Sequence, residues 1–458
     1  MKRVFVGLGA ACVFMLCVAG IVLVTYVLRQ QAGMRRFIAA GPANLAREEA
    51  AARQEGIPLT AGQLQRPLPP PSQNAAPLYV RLTKLLHDKP LGLPRYAEGM
   101  DASYVYTPQQ VAAVRRTLAK RQDVMTLVHQ AADRPQCVFV RDWSQGAKLE
   151  FPEYQQMREA ARLIKTESYL LARDGRYGEA ISNQARGFRV ADQAATDHTL
   201  ISYLVGVASE AIALGGMQGI LAQAGPNAAV DDEVRRVVAS KHSHLSLRAA
   251  MAGEAGFDCT VFPQMHSAEG RGMSASLDAA GFSEGAIRSF KVSASEQRHL
   301  HSLIDAWQAD YLARMRVLVI ACDQPPSVRQ AAFASVNAKL RWDGSSADGT
   351  RYVFSSILMP VFTTIGQNGT RINAREAVTQ AGAFLLAEKA RTGAYPNTPP
   401  QGFIDPFTGK PLLFRREGGG FVVYSAGPTG RFDGGKLGAK VPGQESLFRY
   451  PDVHASPG

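Results

Sequence analysis

The sequence predicts a mainly α protein with an N-terminal transmembrane helix, an α-helical ectodomain and a small C-terminal α+β module made of a helix and a β-hairpin. Three observations predict it: an uncharged N-terminal run, apolar residues at helical spacing through the middle, and two short apolar runs between turns near the end. The expected segments are an anchor (1–30), a juxtamembrane segment with a Pro-rich stalk (31–73), a helical domain (74–352), a long helix plus hairpin (353–435) and a tail (436–458).

The N-terminal apolar run predicts a membrane anchor. Val4 to Leu28 is 25 residues without a charge, and at about 1.5 Å per residue it crosses a hydrocarbon layer of about 30 Å. It is longer than the apolar core of a cleaved signal peptide, roughly 7 to 15 residues, which favours an uncleaved signal anchor. Because the N-terminus before it is so short, we expect a single-pass protein of the bacterial inner (cytoplasmic) membrane, with the N-terminus inside and the bulk in the periplasm or outside.

The formal net charge of +12 raises the possibility of nucleic-acid binding, but the charges are not arranged for it. Residues 1–36 contribute +5 with no acidic residue, whereas the long stretch 73–370 holds 32 basic and 29 acidic residues. The N-terminal excess is where anionic lipid headgroups attract Lys and Arg. We therefore expect no nucleic-acid partner, and we expect the membrane, through Val4 to Leu28, and other envelope proteins as partners.

The segment after the anchor predicts a spacer. Residues 35–56 are rich in Ala and charged residues and predict a short helix near the membrane. The stretch "RPLPPPSQ", residues 66–73, contains four prolines, which favour an extended polyproline II conformation. A stalk is the expected result.

The helical domain shows its clearest pattern over residues 153–224. There "RDGRYGEAI" is similar to the hinge of a tetratricopeptide hairpin, with the first helix broken at Asp174-Gly175. No second copy follows about 34 residues later, so we expect one hairpin and no repeat array. Thr107-Pro108 predicts the start of a helix that extends to about Ala132. Residues 255–286, rich in Gly and Ser, predict a long loop.

The C-terminal stretch predicts a compact helix and hairpin. Residues 353–396 read as a helix interrupted near Pro360 and near Asn368-Gly369. Residues 412–416 and 421–425 are strand candidates joined by "EGGG". We expect the hairpin to pack on the helix as a separate unit, with Phe414, Phe421 and Val423 facing Ala377, Ala381, Phe384 and Leu385.

The order of helix, "YP", "DPFTGKP", hairpin and glycine loop resembles the C-terminal part of the major pseudopilin of type II secretion, over roughly residues 371–435. "MKRVFVGLGAACVF" lacks the prepilin cleavage motif, so a processed fibre subunit is not expected. The resemblance implies calcium in the last loop, where "GPTGRFDGG" keeps only Asp433, although calcium takes 6 to 8 oxygen ligands. A second resemblance, through "NAAPLY" and "LIKTESYLLARDGRYGEAI", is to a group of membrane-anchored bacterial proteins, and it implies no activity.

Catalytic signatures are absent from the sequence: it has no H-E-x-x-H, no G-x-S-x-G and no Walker loop. Two histidine pairs, His242 with His244 and His299 with His301, are spaced two apart. On a helix such residues point away from each other, which predicts surface or capping histidines and no shared metal.

A group of carboxylates close to aromatic residues in the sequence is a further candidate for a binding site. Glu150, Glu153, Glu159 and Asp142 lie close in sequence to Trp143, Phe151 and Tyr154. That composition is compatible with a carbohydrate site, although solvated helix ends explain it more simply. Outside the anchor, Cys137, Cys259 and Cys322 allow at most one intramolecular disulfide, and their spacing fits no zinc motif.

Two functional hypotheses remain from the sequence. The first is an anchored envelope protein without catalytic activity that acts in protein interaction or assembly. The second is an anchored envelope hydrolase whose carboxylates and histidines only the fold brings together. A deep pocket with convergent titratable groups would favour the enzyme, and a shallow apolar groove would favour binding.

Overall fold

The structure is a computed structural model that describes residues 31–97, 100, 104, 106–240, 245–279, 281, 284, 298–345, 349–359, 362–428, 430 and 446–451. The predicted anchor, Val4 to Leu28, lies outside these residues. So do Asp433 and most of the tail.

Helices dominate the described chain, and one small antiparallel sheet accompanies them. The helices in chain order are α1 (31–39), α2 (Gly41–Gln54), α3 (Ala61–Leu64), α4 (Ala76–Asp88), α5 (Pro108–Lys120), α6 (Gln122–Ala132), α7 (Glu153–Arg173), α8 (Tyr177–Ala194), α9 (Leu200–Ala224), α10 (Ala228–Ser240), α11 (Leu247–Cys259), α12 (Val261–Ala268), α13 (Met273–Ala279), α14 (Leu300–Ala321), α15 (Pro326–Ser345), α16 (Val353–Leu358) and α17 (Phe362–Thr392). The strands are β1 (Leu413–Glu417), β2 (Gly420–Tyr424) and β3 (Leu447–Tyr450).

The start of α5 shows how local sequence sets a helix boundary. The Thr107 hydroxyl accepts from the Gln110 amide at 3.2 Å, the Gln110 side chain accepts from the Thr107 amide at 2.8 Å, and Pro108 occupies the first turn. This capping box confirms the predicted start. The helix expected to continue to Ala132 breaks at Arg121, whose guanidinium donates to the carbonyls of Lys89 and Pro90.

Helix α9 is the centre of the molecule. It contributes Tyr203 to one hydrophobic core, Ile212 to a second and Leu214 to a third, and it packs against α7, α8 and α17. Within the described residues it is the one helix long and apolar enough to cross a membrane, and 61% of its most apolar window is buried inside the protein. The hairpin predicted at Asp174-Gly175 joins α7 and α8.

The segment expected to form a spacer is packed onto the helical body. Helix α2 lies against α14, where Arg316 binds Glu48 at 2.6 Å and Glu55 at 2.5 Å. Ile57 is buried in the same core. The Pro-rich stretch lies exposed along the surface, where Arg66 donates to the Thr196 carbonyl at 3.0 Å. These contacts correct the expectation of a stalk, because the segment's own apolar and charged side chains find partners on the body.

The region predicted as a long loop is mostly helical. Residues 255–279 belong to α11, α12 and α13 with a short 3-10 turn between the last two. Of the glycines that indicated a loop, Gly256 permits close packing, because a Cβ there would collide with the carbonyl oxygen of Pro58. Gly272 does mark a turn, since its φ of +91° lies between the 3-10 turn and α13. Glycine content was therefore an ambiguous signal, because it reflects a neighbouring backbone at one position and a turn at another.

The C-terminal sheet confirms the predicted hairpin and adds a strand. Phe414 pairs with Val423 across β1 and β2, and Val423 pairs with Phe448 across β2 and β3. The strand β3 lies within the expected tail, and the sequence analysis did not identify it because its pairing is separated from β2 by more than twenty residues.

The expected independence of the C-terminal unit is corrected by its packing. Helix α17 contacts α9 and α10 as well as the sheet. Ala381 and Phe421 share one core with Leu214 and Val234. Pro360, near which an interruption is predicted, lies outside the described residues, whereas α17 continues through Asn368-Gly369 without a break. Loss of the Phe421 ring would therefore destabilise the helical body as well as the sheet.

Candidate metal centre

Four titratable side chains meet where the end of α12 lies beside the start of α14. His266 lies in the last turn of α12, Glu269 in the turn that follows it, and His301 and Asp305 one turn apart on α14. Their place is set by the core beneath, where Phe262 and the α14 residue Trp307 both pack against Phe354, with ring centroids 5.3 and 5.1 Å apart.

The four groups contact one another in an ordered way. Glu269 lies on the Nδ1 side of both rings, with its Oε2 at 3.2 Å from His266 Nδ1 and 3.1 Å from His301 Nδ1. Asp305 lies on the Nε2 side of both, with Oδ1 at 3.1 Å from His266 Nε2 and Oδ2 at 3.8 Å from His301 Nε2. The ring centroids are 4.3 Å apart. One carboxylate therefore faces each edge of a histidine pair.

The Nε2 edge has the donor set of a transition-metal site. One ligand atom each from His266, His301 and Asp305 lies within 4.8 Å of the others. A tetrahedral zinc ion with bonds near 2.0 to 2.2 Å holds its ligand atoms about 3.3 Å from one another. His266 Nε2 lies 3.1 Å from Oδ1 of Asp305 and His301 Nε2 lies 3.8 Å from Oδ2 of the same carboxylate, so the two nitrogens face one carboxylate at comparable distances. Two imidazoles and one carboxylate suit zinc, nickel, copper or iron better than calcium or magnesium.

Glu269 supplies the second layer that such sites use. Metal-bound histidines usually donate the other ring N–H to a carboxylate, which fixes the tautomer and orients the ring. Partial burial raises the pKa of Glu269, but the hydrogen bonds from His266 and His301 outweigh it and hold the pKa below its usual value. Glu269 is therefore an anion over the neutral pH range, as this role requires.

The centre is open on one side. The His301 side chain is 64% exposed, while that of Asp305 is 9% exposed. An ion held here keeps at least one coordination position toward solvent, which a water molecule or a donor from another molecule can take.

Of these four residues, His301 is the one that the sequence pattern singles out, as a surface or capping histidine spaced two residues from His299. His301 was expected to be a surface or capping histidine; it is exposed, but it contacts Glu269 and Asp305. His299 lies at the N-terminal end of α14, and His242 and His244 lie outside the described residues. His266 was missed because its region was read as a loop. The spacing H-x-x-E at 266 and H-x-x-x-D at 301 could have indicated two half-sites on helices.

The carboxylates near aromatic residues form no sugar platform in the structure. Glu153 contacts Arg141 at 3.4 Å, and Arg141 binds Asp197 at 2.6 Å. The Arg141 guanidinium lies over the Phe139 ring at 4.5 Å and over the Phe151 ring at 4.6 Å, and Tyr154 donates to Asp197. We call Arg141, Glu153, Tyr154 and Asp197 the arginine network. Trp143 and Tyr154 are each 3% exposed, so neither ring offers an open face for a sugar to stack on.

Other residues singled out in the sequence take structural positions. Asp142 caps a short 3-10 helix by accepting from the Ser144 amide at 3.2 Å. Cys137, Cys259 and Cys322 are all free thiols. The calcium site predicted at Asp433 lies outside the described residues and stays a prediction.

Known proteins provide no further guide to the site. Comparison with models of protein families, with curated proteins and with solved structures finds no match to this chain.

Proposed function

We propose that this chain is a membrane-anchored envelope protein that binds a divalent transition-metal ion, with zinc as the first candidate, at His266, His301 and Asp305. The anchor supports its attachment to the inner membrane with the N-terminus inside, and the resemblance of its C-terminal part to a pseudopilin supports a role in interaction or assembly. In this proposal the ion is a site of contact with another molecule and has no catalytic step.

A single observation carries the metal assignment: two imidazoles and a carboxylate from two helices converge on one point, with a second carboxylate behind both imidazoles. A surface ion-pair cluster would explain one histidine between two acids. Such a cluster does not require both rings to turn Nδ1 toward Glu269 and Nε2 toward Asp305. A cation bound at the Nε2 edge requires this common orientation of the two rings.

Zinc titration of the metal-stripped full chain in detergent micelles tests the assignment. We expect one zinc per chain, and at a free zinc concentration 100 times the Kd the free energy of unfolding should rise by about 2.7 kcal/mol. His301→Ala should weaken zinc binding at least 10-fold without loss of fold, because its side chain is largely exposed.

His129→Ala is the matched control. Like His266, His129 has a partly buried side chain (25% against 23% exposed) and is hydrogen-bonded to a carboxylate, Glu167 at 2.7 Å, but among the described residues no second histidine contacts it there. It should leave zinc binding unchanged. Equal zinc affinity in the wild type, His266→Ala and His301→Ala would overturn the proposal.

The open coordination position also favours the hydrolase hypothesis as a second candidate, since a zinc-bound water is a nucleophile near neutral pH. Against it, the three cavities lined by Tyr203, by Arg66 and by Leu204 do not include any of the four metal-centre residues. Zinc-dependent hydrolysis of p-nitrophenyl acetate that is lost in Asp305→Asn would support an enzyme. Zinc binding without such hydrolysis would support the binding role.

A further inference from the structure

A cavity of about 390 Å³ lies at the opposite end of α14 from the metal centre, between α9, the start of α11, the α14–α15 junction and α17. Its volume is within the range of small-molecule pockets, roughly 300 to 1,000 Å³. Part of its wall is apolar, with Val207 and Ile372 facing each other from α9 and α17. The metal centre contributes no residue to this wall.

Arg329 gives the cavity a positive charge that the protein leaves unmatched. Arg248, the other arginine of the wall, binds Asp323 at 2.9 Å. Arg329 donates from Nη2 to the Thr370 hydroxyl at 2.7 Å, and its buried Nε has no partner in the described structure. We find no carboxylate paired with Arg329 among the described residues. A guanidinium with an unused edge is a ready partner for a planar anion.

The Tyr203 hydroxyl is the second polar group without a partner. Tyr203 lines the cavity, is 1% exposed, and its hydroxyl forms no hydrogen bond within the described residues. Burial raises the pKa of Tyr203 although the nearby Arg329 favours the phenolate. The hydroxyl therefore remains protonated as a donor. Burying a hydroxyl without an acceptor is unfavourable, so a ligand atom that accepts from it would satisfy the site.

The backbone makes room for this hydroxyl. A Cβ on Gly369 would lie 2.7 Å from the Tyr203 oxygen. The α17 backbone at Gly369 therefore packs closely against the hydroxyl, and a side chain at this position would displace it.

An adjoining cavity continues the apolar wall. It measures about 230 Å³, shares Val207 and Ile372 with the first, and is lined on the α9 side by Leu204, Ala208 and Ala211. Arg371 and Arg375 line its α17 side. A ligand with its charged head at Arg329 has space here for an apolar tail, and no acidic residue lines this extension.

We propose that this cavity binds a small amphipathic organic carboxylate, with the carboxylate accepting from Arg329 and Tyr203 and the tail lying between Val207 and Ile372. A carboxylate matches the two donors because it is planar and accepts at two oxygens. A neutral amide of the same length would face Arg329 without compensating its charge.

Hexanoate is the probe, measured against hexanamide and inorganic phosphate by ligand-observed NMR with the full chain in nanodiscs. Empty nanodiscs supply the background that comes from partition into lipid. We expect hexanoate to bind at least 10-fold more tightly than hexanamide or phosphate. Arg329→Gln should weaken hexanoate binding at least 10-fold, and Arg176→Gln, an exposed arginine paired with Glu179, should leave it unchanged.

Tyr203→Phe separates binding from folding. Because the hydroxyl has no partner among the described residues, this variant should keep or raise the thermal unfolding midpoint while weakening hexanoate binding roughly 5- to 10-fold. Undiminished hexanoate binding in both Arg329→Gln and Tyr203→Phe would overturn the proposal, as would equal affinity for hexanamide. Tighter binding of phosphate than of hexanoate would replace the carboxylate with an inorganic anion and would overturn it as well.

Discussion

The arginine network and the metal centre both place carboxylates in contact with nitrogen groups at helix ends. They differ in how much their side chains are exposed to solvent. In the arginine network, the side chains of Arg141 and Asp197 are 4% and 5% exposed, and aromatic rings cover the guanidinium. In the metal centre, His301 faces solvent and each imidazole lies between two carboxylates. The first cluster has one cation fixed in place, whereas the second holds two imidazoles in contact with two carboxylates, the arrangement proposed above to bind a metal ion.

The comparison shows how burial divides structural from functional polar clusters. A guanidinium is always charged and presents five donors, so once buried it must be matched permanently. An imidazole can give up its proton and become a metal ligand, so an exposed pair of histidines can exchange a proton for a metal ion. The predictions below break one cluster or the other.

The largest effect is expected from Asp197→Ala in the arginine network. Removing this carboxylate leaves the Arg141 charge buried with only the more distant Glu153, and breaking a buried pair in this way costs about 3 to 5 kcal/mol of unfolding free energy. Urea unfolding of the full chain measures it.

The control for that prediction is Glu179→Ala. Its partner Arg176 is exposed and close to it along α8 at 2.6 Å, so the midpoint should not move measurably. If Asp197→Ala were as harmless as Glu179→Ala, the arginine network would not be a structural cluster.

The next effect comes from a pair of carboxylates with no cation among their described contacts. Glu254 and Asp258 lie one turn apart on α11, where Glu254 accepts from the Leu200 amide at 2.9 Å and Asp258 from the Tyr311 hydroxyl. Burial raises the pKa of Glu254 to about 7, and burial together with the nearby Glu254 raises that of Asp258. The raised pKa values of these two carboxyl groups show the effect of burial where neither an arginine nor a histidine compensates the negative charge.

Because the folded pKa lies above the unfolded value, the folded state holds these protons more tightly. Their contribution to stability is complete below about pH 4.5 and is lost as the pH rises through 7. At about 1.4 kcal/mol per pKa unit, Glu254 alone should lower the free energy of unfolding by roughly 2.5 kcal/mol between pH 5 and pH 8, and Asp258 should lower it further. Unfolding midpoints measured at intervals in that range, with chelator present, test this. In Glu254→Gln the slope should be flatter; an unchanged slope would place the titration elsewhere, for instance at Asp231.

The smallest effect is expected from Glu269→Gln in the metal centre. The amide keeps the shape of the side chain but loses the anion behind both imidazoles, so zinc affinity should fall about 10-fold, in the lower range for such outer partners. The metal-free protein should unfold within about 1 kcal/mol of wild type, because Glu269 is partly solvated. A Glu269→Gln protein that bound zinc as tightly as wild type would show that the carboxylate does not orient the rings.

Local sequence determined the features that depend on neighbouring residues. The capping box at Thr107, the break at Asp174-Gly175 and the hairpin of β1 and β2 were predictable, because a cap, a turn or a two-strand pairing involves groups a few residues apart. The same holds for the mainly α class, which follows from the spacing of apolar side chains. The exposed Pro-rich stretch was predictable as an irregular segment, although its position against the body was not.

Only the tertiary structure decided which distant groups meet. His266 and His301 are 35 positions apart, and nothing in either helix indicates that α12 packs beside α14. The packing of α2 on the helical body was unpredictable for the same reason, because it depends on the contact between Glu48 and the distant Arg316 on α14. Glycines such as Gly256 read as loop signals, but close approach of another backbone gave them their role. Contacts of this kind depend on how whole apolar faces pack, a sum over many residues that no local pattern records.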